Sequence, residues 1–241
     1  MSNQPSSFKY LDIVASFFIV ILVVSNIASS AKIVDMGFSL FHIPMVFDGG
    51  TLLFPFVYIL GDVLTEVYGF RTARRVIWTG FAAMALTTLV FFTLGVLPAE
   101  SFWEAEAGSI AYNAILGGMS YGGIVLASLA AYLAGEFSNA AVLSRLKVKM
   151  KGRLMAVRTI SSSLIGQMLD TVIFVLIASA TGVFGWEIFW SLVLTNYILK
   201  CGIEALMTPF TWLFAKFLKN KEGIDIYDTS IFNFSKKNVI K

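Results

Sequence analysis

No ionisable side chain interrupts the chain between Val76 and Leu97. At 1.5 Å per residue, a helix over that stretch is long enough to cross the roughly 30 Å hydrocarbon core of a bilayer. Five other stretches are apolar on a similar scale: Leu11–Ser30, Thr51–Tyr68, Gly117–Ser138, Ile160–Phe184 and Ile188–Leu218. Composition agrees that the solvent is mostly lipid. Charged residues are 14% of the 241, against about 25% in soluble domains, and the mean hydropathy is +0.79. So little charge cannot coat a soluble surface of this size. The expected fold is therefore an all-α membrane protein of six transmembrane helices. Residues 1–218 form a single transmembrane domain and 219–241 a short cytoplasmic tail. The first stretch resembles a signal peptide in its small residues Ala28–Ala31. It is long, however, and runs through Asn26 without a clear cleavage site, so it is read as a retained span. The single cysteine, Cys201, excludes an intramolecular disulfide and a cysteine-based metal cluster.

Orientation follows from the placement of Lys and Arg, which concentrate on the cytoplasmic side. With both termini in the cytoplasm, the inner segments hold Lys9; Arg71, Arg74 and Arg75; Arg145 to Arg158; and Lys216 to Lys241. These account for 16 of the 18 positive residues. The outer loops are acidic, with Asp35, Asp48, Glu100, Glu104, Glu106 and Glu187. The chain is thus expected in the cell inner membrane as a multi-pass, N-in and C-in protein. Because the positive charge is sorted by membrane side, no nucleic-acid partner is implied by the net charge of +3. A short apolar run, Met36–Phe47, is interrupted by His42 and Pro44 and is too short to span, so it reads as re-entrant or interfacial.

Several ionisable groups fall inside spans, where each costs about 2.5–3.5 kcal/mol at mid-bilayer. Asp62 and Glu66 lie in the second span, Glu136 in the fourth, Asp170 in the fifth, and Lys200 and Glu204 in the sixth. Counting 1.5 Å per residue from the span ends puts Asp62, Asp170 and Lys200 about 15–18 Å deep, near the midplane. Glu66 and Glu204 fall about one turn further toward the cytoplasm. Glu136 sits near the cytoplasmic end of its span, where it can snorkel. Tyr58, Asp62 and Glu66 are spaced i, i+4, i+8 and share a helix face. Asn196, Lys200 and Glu204 repeat that spacing, and Gln167 and Asp170 are i, i+3. Three helices therefore present polar stripes at similar depth, which predicts a polar binding cavity near the midplane. Phe54, Tyr58, Phe174 and Tyr197 could wall it, although each taken singly suits ordinary packing. Pro209 can kink the sixth span after Glu204. Arg71, Arg74 and Arg75, in the turn after the second span, serve topology and could pair with Glu66. In the fourth span Gly123, Ala127, Ala131, Gly135 and Asn139 form a small-residue stripe that permits close helix packing. Packing within the bundle is favoured over a dimer face, and a homo-oligomer stays open.

Three segments carry a family resemblance: FPFVYILGDVLTEVYGFRTARRVIW (Phe54–Trp78), GQMLDTVIF (Gly166–Phe174) and NYILKCGIEALMTP (Asn196–Pro209). They resemble the queuosine precursor transporter family, also called the vitamin uptake transporter family, over essentially the whole chain. The resemblance implies a six-helix inner-membrane protein related in fold to the substrate-binding components of energy-coupling-factor transporters. It also implies 7-cyano-7-deazaguanine and 7-aminomethyl-7-deazaguanine as substrates, imported by a secondary, ion- or proton-coupled mechanism without a cofactor. The expected substrate shell is Tyr58, Asp62, Glu66, Gln167, Asp170, Asn196, Lys200 and Glu204. In it, Asp170 or Glu66 accepts the two adjacent N–H donors of a guanine-like edge, and Lys200 meets its carbonyl. Asp62 and Glu204 hold Lys200 or carry a proton.

Two alternatives differ in class. A vitamin-binding component that docks on a separate ATPase module would be expected to show Ala-x-x-x-Ala in its first helix. The first helix has no such spacing, and the nearest matches are Ala127–Ala131 and Ala130–Ala134 in the fourth span, which favours a stand-alone carrier. An intramembrane aspartyl protease could use Asp62 and Asp170, but Asp62 lacks the Gly-x-Gly-Asp context and Lys200 lies at the same depth. The expected protein is not an enzyme.

Overall fold

The computed structural model describes residues 8–40, 43–106, 108–120, 123–228 and 239–240. His42, Gly122, Lys236, Lys237 and Lys241 lie outside the described residues. Helix α1 (Leu11–Ala31) leads into two antiparallel strands, β1 (Ile33–Leu40) and β2 (Ile43–Asp48). A 3-10 turn at Gly49–Leu52 then enters α2 (Phe54–Tyr68). Next come α3 (Phe70–Val96), the short α4 (Ser101–Glu106), α5 (Gly108–Ser120) and α6 (Gly123–Lys149). Two long helices, α7 (Met155–Ala180) and α8 (Phe189–Glu222), follow, and Ile226–Tyr227 (β3) pairs with Val239–Ile240 (β4).

Among the described residues, five helices are long and apolar enough to cross a membrane: Leu11–Ala31, Phe70–Val96, Val125–Lys149, Met155–Ala180 and Trp186–Glu222. Their outer faces carry exposed Phe17, Leu86, Leu89, Trp190, Leu206 and Phe210, as a lipid-facing surface requires. The chain is a largely helical, multi-pass membrane protein.

The departures from expectation have local causes. Met36–Phe47 falls in the β1–β2 hairpin, where Gly37 (φ +74°) lies in the irregular stretch between Asp35 and Ser39. The second expected span starts as a 3-10 turn because Asp48 caps it, its side chain accepting from the Gly50 N–H at 3.1 Å. Pro55 then suits the first turn of α2, where no N–H partner is lost. At 15 residues, α2 is about 22 Å long, and none of its side chains is exposed. It is enclosed by protein and lacks the length of its neighbours. The fourth expected span starts in α5 and its later described residues lie in α6. As α6 runs on to Lys149, Glu136 sits near the middle of that helix and only 1% exposed. It does not snorkel.

Helix α6 crosses α7 where both lack a β-carbon. A Cβ on Gly166 would lie 2.9 Å from the Gly135 carbonyl oxygen, and one on Gly135 would lie 3.1 Å from that of Gly166. Ala127, Ala131 and Asn139 continue the contact and are buried. The small-residue stripe thus packs inside the bundle.

At the opposite end, Gly69 alone separates α2 from α3, with φ +82°. A Cβ there would lie 2.8 Å from Ile226 and 2.9 Å from Asp228. The chain after α8 therefore folds back: Ile224, Ile226 and Asp228 are buried, and the Asp228 carboxylate accepts the Phe70 N–H at 2.5 Å.

The α6–α7 crossing gives a stability test. Gly166→Val should cost about 1–3 kcal/mol by overpacking, read as a lowered melting temperature in detergent. Gly202→Ala, where a Cβ meets nothing within 4 Å, should be neutral or slightly stabilising in the same assay.

Candidate functional site: a buried polar column

Helices α2 and α8 run in the same direction and pack together, so their i, i+4 ladders face each other at matched heights. Helix α7 contributes Arg158, Ser162, Gly166 and Asp170 at the same spacing, and α6 contributes Asn139 and Lys147. The result is a column of polar groups in four levels.

The first level surrounds Asp48, which is 2% exposed. Its carboxylate accepts from Ser29 Oγ at 2.5 Å, the Gly50 N–H at 3.1 Å and Asn196 Nδ2 at 3.0 Å. The Thr51 hydroxyl lies 2.9 Å from Asp48 Oδ2 and 3.0 Å from Asn196 Oδ1. Asp48 reads as an outer-loop acid in the sequence, but it joins α1, the 3-10 turn and α8.

At the second level Lys200 Nζ donates to Asp170 Oδ2 at 2.8 Å and lies 4.5 Å from the centre of the Phe54 ring. Both charged groups are buried. Just below, Tyr58 is buried with its hydroxyl close to the Gly135–Gly166 crossing, and that hydroxyl meets no hydrogen-bond partner among the described residues.

The third level is acidic. Asp62 Oδ1 accepts from Asn139 Nδ2 at 2.8 Å, and the Asp62 and Glu204 carboxyl groups are neighbours. Glu204 accepts from the Ser163 hydroxyl and from Gln167 Nε2. A crevice of about 10 Å³ beside Glu204 is lined by Ile160, Ser163, Leu164 and Cys201, room for about one water. Asp62 and Asp170 thus have separate partners, and Asp170 is held by a lysine, which does not suit an aspartyl dyad.

The fourth level is an ion cluster around Glu66. Arg158 donates through both terminal nitrogens, at 2.7 and 3.3 Å, and Lys219 Nζ donates at 2.6 Å. Lys147 Nζ lies 3.7 Å from Glu66 Oε1 and donates to the Glu66 carbonyl oxygen at 2.6 Å. Asp225 closes the cluster, 2.6 Å from Lys147 and 2.9 Å from Lys219. Burial acts to raise the Asp225 carboxyl, but the two lysines outweigh it and hold the group below its ordinary value. Burial raises Asp228, partly offset by the Phe70 N–H, Arg71 and Lys147.

The eight sequence-derived residues do not form one shell. Tyr58, Asp62, Gln167, Asp170, Lys200 and Glu204 line the two middle levels, Asn196 belongs to the level above, and Glu66 is occupied by the cations below. Phe174 packs edge-on to Phe184, and the Tyr197 hydroxyl donates to the Leu164 carbonyl at 3.2 Å. Arg158, Lys147 and Lys219 look like topology signals in the sequence, and the arginines at 71, 74 and 75 lie nearer to Glu66 along the chain. The i, i+4 run of Arg158 with Ser162, Gly166 and Asp170 was the available clue that it faces inward.

Removing Glu66 strands Arg158, which is completely buried. Glu66→Ala should therefore cost about 3–5 kcal/mol, the usual penalty for breaking a buried pair, measured by thermal unfolding. For Asp225, whose folded value is depressed, the stability it contributes is present above its unfolded pKa of about 3.9 and is lost as pH falls through the lower folded value. Asp225→Asn should melt below wild type at neutral pH, with the gap closing in acid.

Residues 48–214 match the family described as "Putative vitamin uptake transporter". A "Probable queuosine precursor transporter" of Bacillus subtilis (strain 168) is 26% identical over 174 residues, 72% of this chain and 73% of that protein. The "Queuosine precursor transporter" of Escherichia coli (strain K12) is 24% identical over 204 residues, 84% of each chain. A "Probable queuosine precursor transporter" of Haemophilus influenzae is 30% identical over 129 residues, 54% of this chain and 50% of that protein. No solved structure matches the chain significantly.

Proposed function

The chain belongs to the vitamin uptake transporter family, a family of transporters rather than enzymes, and on that premise we propose that it imports queuosine precursors across the inner membrane. The observation that carries this reading is the similarity, over most of the chain, to proteins named queuosine precursor transporters. The substrates are 7-cyano-7-deazaguanine and 7-aminomethyl-7-deazaguanine, flat rings with a guanine-like edge. That edge offers two N–H donors beside a carbonyl acceptor. The Asp170–Lys200 pair offers the complementary row, a carboxylate acceptor beside an ammonium donor. Phe54, already against Lys200, supplies a ring face for stacking. Gln167 and Asn196 flank the pair from α7 and α8 and complete the polar contacts with Tyr58.

The acidic level below, with the Asp62–Glu204 carboxyl pair, supports a secondary, ion- or proton-coupled mechanism. Glu66, saturated by Arg158, Lys219 and Lys147, seals the column at the cytoplasmic end. The orientation is N-in and C-in, supported by the Lys and Arg concentrated at that end. In this topology α2 with its preceding 3-10 turn is a sixth, short crossing segment sheltered by the others.

Thermal unfolding of the purified protein with a panel of 7-deazapurines, purines and vitamins tests the reading, because a ligand that binds the folded state raises its melting temperature by mass action. The two 7-deazaguanines should stabilise it and the vitamins should not; the reverse pattern would overturn the substrate assignment. Asp170→Asn should weaken 7-cyano-7-deazaguanine about 10- to 150-fold, the equivalent of losing a charge-assisted contact of about 1.5–3 kcal/mol. Unchanged binding by this variant, normally inserted in the membrane, would remove Asp170 from the site.

A further inference from the structure

Glu136 is absent from the substrate contacts above, yet it is the most poorly compensated charge-bearing side chain in the column. It is 1% exposed and near the middle of α6. Neither carboxyl oxygen has a hydrogen-bond partner among the described residues. Its Oε2 lies against Gly61, where a Cβ would come within 2.8 Å, and the ring of Phe18 from α1 flanks the same spot.

The ionisable groups around it do not neutralise it. Helix α2 brings Asp62 and Tyr58, α7 brings Asp170, α8 brings Glu204, and α6 itself brings Tyr132 one turn away. Tyr132 donates its hydroxyl to the Ile77 carbonyl on α3 at 2.9 Å, and Lys200 is committed to Asp170. Three of these neighbours are acids, and none of them is a cation. A carboxylate without donor or cation is costly to hold in such surroundings.

Resting on the transport reading above, we propose that Glu136 is the residue that carries the coupled proton. Its place explains how coupling would work. Gly61 precedes Asp62 on α2, so any displacement of α2 that parts Asp62 from Glu204 also uncovers Glu136. Once water reaches it, the carboxyl O–H bond breaks, the proton passes to water on the exposed side, and the electron pair stays as the carboxylate. Return of α2 to its present packing requires the carboxylate to take a proton again. Gly61 is then the packing partner that leaves room for the carboxyl group: a larger residue would occupy its space.

The test uses proteoliposomes and 7-cyano-7-deazaguanine. Glu136→Gln copies the protonated form and should keep ligand-induced thermal stabilisation and exchange of internal for external substrate. Net uptake under an inward proton gradient should fall to equal concentrations inside and outside, and its pH dependence should vanish. Accumulation by Glu136→Gln with wild-type proton dependence would overturn the proposal, as would a folded variant that has lost binding and exchange. If Glu136→Gln does not fold, Glu136→Asp, which keeps a carboxyl, should shift the pH midpoint of net uptake while keeping exchange; an unmoved midpoint would overturn it. Infrared spectra without substrate separate this proposal from the substrate reading. The protonated-carboxyl stretch of the wild type at neutral pH should lose intensity in Glu136→Gln. An unchanged band overturns the role of Glu136, whereas failure of the wild type to bind 7-deazaguanines overturns only the substrate.

Discussion

A carboxylate withdrawn from water must be matched by charge, and the match at Glu66 organises this molecule. Arg158 comes from α7, Lys147 from α6 and Lys219 from α8, while Asp225 follows α8. One acidic side chain on α2 thus gathers three helices and the chain beyond them. Because the desolvation of each ion costs several kcal/mol, the cluster is favourable only as a complete set. The same set fixes the height of α2 against α8, and with it the facing of Asp62 to Glu204 and of Phe54 to Lys200.

Helix α2 differs from its neighbours in kind. A lipid-facing helix presents one apolar side outward, as α1 and α3 do, whereas α2 is enclosed all round. Its polar ladder of Tyr58, Asp62 and Glu66 is therefore free of the usual penalty for facing hydrocarbon, and it can hold ionisable groups at a depth where they are otherwise excluded. Enclosure also removes the need to match bilayer thickness, so 15 residues suffice. The short 3-10 entry capped by Asp48 ties the top of this helix to α1 and α8.

The helix ladders were legible because i, i+4 spacing is local: Tyr58–Asp62–Glu66 and Asn196–Lys200–Glu204 face the column as their spacing implies. What spacing cannot tell is which ladders meet. Glu66 and Lys200 look equally suited to a ligand, yet Glu66 is enclosed by cations from 92 and 153 residues further on. Those cations resemble orientation signals, since a Lys or Arg near a span end serves either purpose. Asp48 reads as an outer-loop acid because its strand–turn context reads as loop, and Glu136 as a snorkelling one because its helix continues to Lys149 past the end that hydropathy suggests. Beyond Ser138 the helix carries Arg145, Lys147 and Lys149, so a composition window ends before the helix does. The small-residue stripe on α6 was readable, and its partner Gly166 was not, since a lone glycine carries no period.

The long sequence distance between Glu66 and its cations has a consequence for biosynthesis. Helix α2 is among the first segments to leave the ribosome, but Arg158 is made 92 residues later and Lys219 153 residues later. Until Lys147 is made, 81 residues after Glu66, its carboxylate has none of these partners. Enclosure of α2 is thus a closing step of assembly, and a chain truncated before Lys219 is left with an incomplete neutralising set, a defect that membrane quality control can recognise.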